Sequence, residues 1–123
     1  PYLVTFGADF PTPDGMGVRD YIHVVDLVSA HLAALDALLV DQGMGAYNVG
    51  YGRGFSVRDV IAAVESVSGQ LLSVRESPRR AGDPPSVIAD STMLRSKLGW
   101  TPQHDDLLEI VRTAYAWEKR LNC

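Results

Sequence analysis

The residues best suited to chemistry are arginines on loops. Arg19 sits in Gly17-Val18-Arg19-Asp20-Tyr21, directly after a glycine-rich stretch, and Arg79 and Arg80 sit in Pro78-Arg79-Arg80-Ala81-Gly82-Asp83-Pro84. A guanidinium presents a planar fork of donors that suits phosphate oxygens, and loops stiffened by Gly and Pro can hold that fork still. Two such loops would clamp a diphosphate from both sides. Asp83 follows Arg80 closely and offers acceptors for vicinal hydroxyls. The competing reading is a solvated charged turn, because exposed arginines are common and usually structural.

Other constellations carry less. Gly50-Tyr51-Gly52-Arg53-Gly54 lies between a strand candidate and a helix, the setting of a phosphate-binding fingerprint. Its spacing fails, since position 55 is Phe and no Gly-Lys-Ser/Thr follows, so it reads as a tight strand-to-helix turn. Tyr115-Ala116-Trp117-Glu118-Lys119 has the Tyr-x-x-x-Lys spacing in which a lysine one helical turn away activates a tyrosine as a base, with Ser91 and Thr92 upstream. Tyr115 shares a stripe with Leu108 and Val111, however, and no nucleotide-binding βαβ unit precedes it, so it reads as a packed helix residue. His23, His31 and His104 are scattered and form no ligand set, which argues against a metal. No Gly-x-Ser-x-Gly nucleophile turn is present.

These residues must be positioned by mixed β and α elements. Leu3 to Phe6 predicts a strand, and the stretch from Asp9 to Gly17, with its prolines, glycines and aspartates, predicts a turn. Asp20 to Val24 reads as a short extended piece. Asp26 then looks like the N-cap of a broadly apolar helix to about residue 40, stopping before Gly43. Ala46 to Val49 predicts a strand. Ser56-Val57-Arg58-Asp59 resembles a capping box opening a helix that Gly69 ends. Leu71 to Glu76 predicts another strand. Asp90 caps a short helix closed by Gly99, and a last helix runs from Asp105 to about Leu121. The class is α/β or α+β.

Composition limits the options. Hydrophobic residues make up 46% of the 123 and charged residues 21%, so the chain buries a core. Eleven basic against fifteen acidic side chains leave a net charge of −4, which excludes a broad basic surface for nucleic acid or anionic lipid. No apolar run reaches the eighteen residues of a membrane span. One cysteine, Cys123, excludes an internal disulfide and fits a reducing, cytoplasmic setting. The chain starts abruptly in what reads as the middle of a strand, so it is expected to be part of a longer protein.

Four blocks together carry a family resemblance. Phe6-Gly7-x-Asp9-Phe10-Pro11-Thr12-Pro13-Asp14-Gly15-x-Gly17-Val18-Arg19-Asp20-Tyr21-Ile22-His23-Val24 resembles the signature of UDP-glucose 4-epimerases, which are extended short-chain dehydrogenases/reductases. Tyr47-Asn48-Val49-Gly50-x-Gly52-x-Gly54-x-Ser56-Val57, Pro78-Arg79-Arg80-x-Gly82-Asp83 and Leu98-Gly99-Trp100 resemble the later blocks, in family order. The resemblance implies that residues 1–123 are the C-terminal, UDP-sugar-binding part of an NAD-dependent epimerase, in a Rossmann-type α/β fold with short strands and about four helices. The dinucleotide-binding N-terminal half, with the catalytic Ser/Thr and Tyr-x-x-x-Lys, would be absent, so no residue here is catalytic or cofactor-binding.

In the family, NAD takes hydride from C4 of the sugar, the 4-keto sugar swings about its diphosphate, and hydride returns to the other face. The resemblance therefore implies an anchor in this chain. Val4, Thr5 and Phe6 would line the uracil site, Arg19 and Arg80 hold the diphosphate, and Asp83 hold the ribose hydroxyls. Val87 falls at a sugar-pocket position of variable size, and its small side chain implies room for N-acetylated hexoses. Met16 replaces a small polar residue and is expected to be exposed, with little consequence. UDP-glucose and UDP-galactose are the implied substrates and a homodimer the implied assembly. The alternatives are a 4,6-dehydratase, a UDP-glucuronate decarboxylase, or a non-catalytic truncated nucleotide-binding module.

Overall fold

A computed structural model describes residues 2–40 and 45–121. The elements run β1 (Leu3–Phe6), β2 (Val18–Arg19), α1 (Val24–Leu39), β3 (Phe55–Ser56), α2 (Val57–Ser68), β4 (Val74–Ser77), β5 (Ser86–Val87), α3 (Thr92–Leu98) and α4 (Leu107–Leu121). β1 pairs in parallel with β4, Leu3 opposite Val74 and Phe6 opposite Ser77. In the second sheet β2 is central, antiparallel to β3 and parallel to β5. Helix α2 packs against α4, and α1 against α3.

The core gathers Ala30, Tyr51, Leu94 and Trp100, flanked by Ile22, Tyr47, Val49, Leu98 and Ile110. At its centre is a carboxylate. Asp26 is 1% exposed. It accepts the Tyr51 hydroxyl at 2.7 Å and the backbone N–H groups of Gln103 and His104 at 3.0 and 2.9 Å. The Trp100 indole N–H reaches the Asp26 carbonyl at 3.2 Å and the Ser29 hydroxyl at 2.8 Å. Burial pushes the Asp26 carboxyl up, but the three donors and the nearby His104 outweigh it and hold the group below the ordinary carboxylate value. Burial, together with the carboxylate, pushes the Tyr51 phenol far up, so it stays a neutral donor.

This use of Asp26 corrects its expected role as N-cap. The helix starts earlier, and His23 caps it, its Nδ1 accepting the Val25 N–H at 3.1 Å. His23 also stacks on His104, ring centroids 4.5 Å apart, and its Nε2 lies 2.8 Å from the Thr113 hydroxyl. The capping box at Ser56 and Asp59 forms as expected, and Gly69 closes α2 in the left-handed conformation.

Other boundaries move. The strand expected over 71–76 begins only at Val74, where β1 lies alongside. The segment 46–49 is not a strand, because no described residue pairs with its backbone; Tyr47 and Val49 pack on the core instead. The extended piece expected over 20–24 is displaced: the strand is β2 at Val18–Arg19, residues 20–23 belong to no strand, and Val24 already opens α1. Asp90 stands one residue before the N-cap of α3, which is Ser91, and accepts the Thr92 N–H at 3.0 Å. α4 starts at Leu107, with Asp106 accepting the Glu109 N–H at 2.8 Å. Met16 is buried, not exposed: Asp14 accepts its N–H at 2.9 Å and its carbonyl accepts the Thr12 hydroxyl at 2.7 Å, which folds the turn inward. α1 ends at Leu39 with Val40 as its C-cap, as expected for a helix to about residue 40; Gly43 and the lone Cys123 lie outside the described residues.

Candidate functional site

Two structural devices fix Arg19. Strand β2 is held on both sides, by β3 and β5, and Asp20 continues the hold. The Asp20 carboxylate accepts N–H groups from Tyr51 at 3.0 Å, Gly52 at 2.9 Å and Ala89 at 3.3 Å. It thereby ties the end of β2 to two other stretches of chain. The Arg19 guanidinium donates to the Val18 carbonyl at 2.7 Å. Arg80 comes from the connection between β4 and β5. Its Nε lies 2.9 Å from Asp83 Oδ2, closing a turn in which the Asp83 N–H reaches the Arg80 carbonyl at 3.3 Å. Its guanidinium sits 5.0 Å from the Phe6 ring centroid.

These residues open onto one cavity of about 250 Å³, lined by Val4, Thr5, Phe6, Arg19, Arg80 and Asp83. Six of the seven residues singled out in the sequence therefore share it. Thr5 is buried, Val4, Arg19 and Asp83 are half-buried, and Phe6 and Arg80 are exposed. Val87 lies apart, half exposed, in an adjoining hollow of about 480 Å³ that also contains Arg19, Tyr47 and Asn48. Arg19 is thus the shared wall of two hollows.

The sequence reading missed Phe10, Gly17, Tyr21 and Val57 on the cavity wall. Tyr21 carried a usable signal: it is two residues from Arg19 on extended chain, so both side chains share a face. Burial raises its phenol above the ordinary value, with Arg19 opposing. Phe10 gave no local signal, because a loop places it.

The glycine-rich turn is not a dinucleotide cradle. A Cβ on Gly50 would meet Asp20 Oδ2 at 2.5 Å and Ala89 Cβ at 2.6 Å, and one on Gly54 would meet Val18 Cγ1 at 2.4 Å. The protein's own atoms fill that space, so these glycines serve close packing, and the residues present do not fit NAD. Tyr115 and Lys119 lie together on a groove of α4 with Val67 and Arg112, the Lys119 ammonium 5.6 Å from the ring centroid, and neither lines the arginine cavity. Among the described residues, no cluster of three or more His, Cys, Asp or Glu could hold a metal, and no helix is long and apolar enough to cross a membrane.

Fold and sequence define a class. The α/β arrangement matches the C-terminal region of solved sugar-nucleotide epimerases, and residues 3–50 match the model of the NAD dependent epimerase/dehydratase family. Within that class the chain resembles the UDP-glucose 4-epimerases. It is 49% identical over 121 residues to UDP-glucose 4-epimerase of Azospirillum brasilense, a match over 98% of this chain and 35% of that enzyme. The structure of UDP-glucose 4-epimerase from Stenotrophomonas maltophila with bound NAD and formylated UDP-arabinopyranose superimposes with a TM-score of 0.92 at 40% identity, over 99% of this chain and 36% of that one. The UDP-Glc/GlcNAc 4-epimerase of Campylobacter jejuni gives 0.84 at 48% identity, over 97% of this chain and 36% of that one. The chain thus spans about a third of the length of these relatives.

Proposed function

We propose that this chain is the UDP anchor of an NAD-dependent UDP-hexose 4-epimerase that interconverts UDP-glucose and UDP-galactose. The observation that carries the reading is the convergence of Arg19 and Arg80, from separate elements, on one cavity with Asp83 and the β1 residues Val4, Thr5 and Phe6. Two guanidinium forks neutralise and orient a diphosphate. Asp83 supplies acceptors for ribose hydroxyls, and β1 offers a wall and backbone groups to the base. Such an anchor holds the nucleotide while leaving the hexose free to present either face to the reacting centre. NAD would be held mainly by the dinucleotide-binding half of the enzyme, and the glycine-rich turn of this chain is filled by its own atoms. By the family resemblance, the whole enzyme is a cytoplasmic homodimer and this chain alone is inactive.

The test is a calorimetric titration of the 123-residue chain with UDP, and with uridine as the uncharged control. UDP binds weakly and uridine more weakly still. Arg19→Ala and Arg80→Ala each reduce UDP affinity by about tenfold or more, the usual worth of a charge-assisted hydrogen bond. Equal binding of UDP and uridine, or intact UDP binding in both variants, removes the anchor reading. The Val87 hollow bears on the hexose. In the assembled enzyme Val87→Tyr is expected to exclude N-acetylated hexoses first, and unchanged discrimination would dismiss that assignment.

A further inference from the structure

We propose that Arg79 is a positioning residue: with Asp9 and Phe10 it clasps the β4–β5 connection onto the loop after β1, and so presents Arg80 to the diphosphate. The ligand rests on the anchor reading above; the clasp rests on separate geometry. Arg79 Nε lies 3.0 Å from Asp9 Oδ1, and its guanidinium stands 5.2 Å from the centroid of Phe10. Phe10 is 6% exposed and forms part of the cavity wall, so the clasp is fastened to the site itself. The stem of Arg79 is also accommodated by design of the backbone. Gly7 has φ +84°, and a Cβ there would lie 2.5 Å from both Arg79 Cγ and Phe10 Cε2. Only glycine adopts this conformation readily and leaves that space.

The chain direction does the rest. The β1–β4 ladder ends with the Gly7 N–H donating to the Ser77 carbonyl at 2.8 Å. Just beyond, consecutive residues turn to different tasks: Arg79 goes to Asp9 and Phe10, and Arg80 goes to Phe6 and Asp83 at the cavity. Holding Arg79 therefore sets the position of the next residue's guanidinium. The ion pair has a second effect. Arg79 offsets the charge of the Asp9 carboxylate, which directly precedes the cavity residue Phe10.

The experiment uses the full chain with three variants, Arg79→Ala, Arg79→Lys and Asp9→Asn. Lysine keeps the charge but not the planar fork that pairs through Nε and stacks on an aromatic ring. Two quantities are read: the picosecond–nanosecond order of the Arg80, Gly82 and Asp83 amides by ¹⁵N relaxation, and the UDP dissociation constant. All three variants loosen the amides. Arg79→Ala and Arg79→Lys weaken UDP binding about three- to fivefold, as expected for losing one exposed ion pair and one cation–π contact. The thermal midpoint stays unchanged. Amides as ordered in Arg79→Ala as in the parent, or parent-like UDP affinity in Arg79→Lys, overturn the proposal, as does weaker binding that appears only with a lowered midpoint. If the parent chain does not bind UDP, the anchor reading fails, and the amide order alone then upholds or rejects the clasp.

Discussion

Asp26 is the residue on which the interior turns. A carboxylate this deeply buried is tolerable because each of its oxygens is occupied by donors: Tyr51 and His104 on one, Gln103 on the other. Removing the acceptor strands those donors. Asp26→Ala is therefore expected to cost about 3 kcal/mol or more, and Asp26→Asn about 2 kcal/mol, because its amide N–H₂ faces donors. Urea midpoints at neutral pH measure both. The pH dependence follows from the lowered carboxyl. Its stabilisation is complete above the unfolded-state value of 3.8 and disappears as pH falls through the lower folded-state value. Asp14 shifts the same way, through the Ser56 hydroxyl and then the Met16 N–H. The parent should lose stability steeply below about pH 4, and Asp26→Asn, weaker at neutrality, should show a shallower acid slope. Parallel slopes would remove Asp26 as the cause.

At the scale of elements, the cap of α2 is the clearest case of local chemistry fixing structure. The Ser56 hydroxyl accepts the Asp59 N–H at 3.1 Å while the Asp59 carboxylate accepts the Ser56 N–H at 2.8 Å. The same hydroxyl donates to Asp14 at 2.6 Å, fastening the turn before β2 to the helix. Ser56→Ala is expected to lower stability by about 1–2 kcal/mol, while Ser56→Thr keeps most of it. Loss confined to a few tenths in a thermal or urea melt would mean that the cap is redundant. This box was readable in the sequence because its partners are three residues apart. The cap of α1 was not, because Asp26, the better local candidate, is claimed by Tyr51, Gln103 and His104 from distant chain, which leaves the role to His23. Strand limits failed for a similar reason: β-prone residues at 46–49 have no described neighbour to pair with, whereas Val74–Ser77 has β1. In the site, Arg19, Arg80 and Asp83 were legible from residue type and loop context, and the β1 residues Val4, Thr5 and Phe6 from the family resemblance. Phe10 and Arg79 acquire their places only when the loop after β1 meets the β4–β5 connection.

For the whole molecule, α1 shows what this length of chain can and cannot bury. Its sequence is apolar around most of its circumference, a pattern expected of a helix packed on more than one side. The structure covers one side only: Ala30 and Ala37 are buried, while Val28, Leu32, Leu35 and Leu39 are 52%, 55%, 49% and 75% exposed. These four recur at helical spacing and make one continuous apolar stripe. Burial on this chain contributes little at those positions, so charging them should cost little. Val28→Lys, Leu32→Glu and Leu35→Lys are each expected to change the urea midpoint by less than about 0.5 kcal/mol equivalent, whereas Leu94→Ala, at 1% exposure in the core, should cost about 2–5 kcal/mol. The triple stripe variant should also bind less of a hydrophobic dye and remain soluble at higher concentration. A stripe variant as damaging as Leu94→Ala would mean that this face is packed within the chain in solution. Unchanged dye binding would place the sticky surface elsewhere, on β1 or the exposed Trp117 of α4.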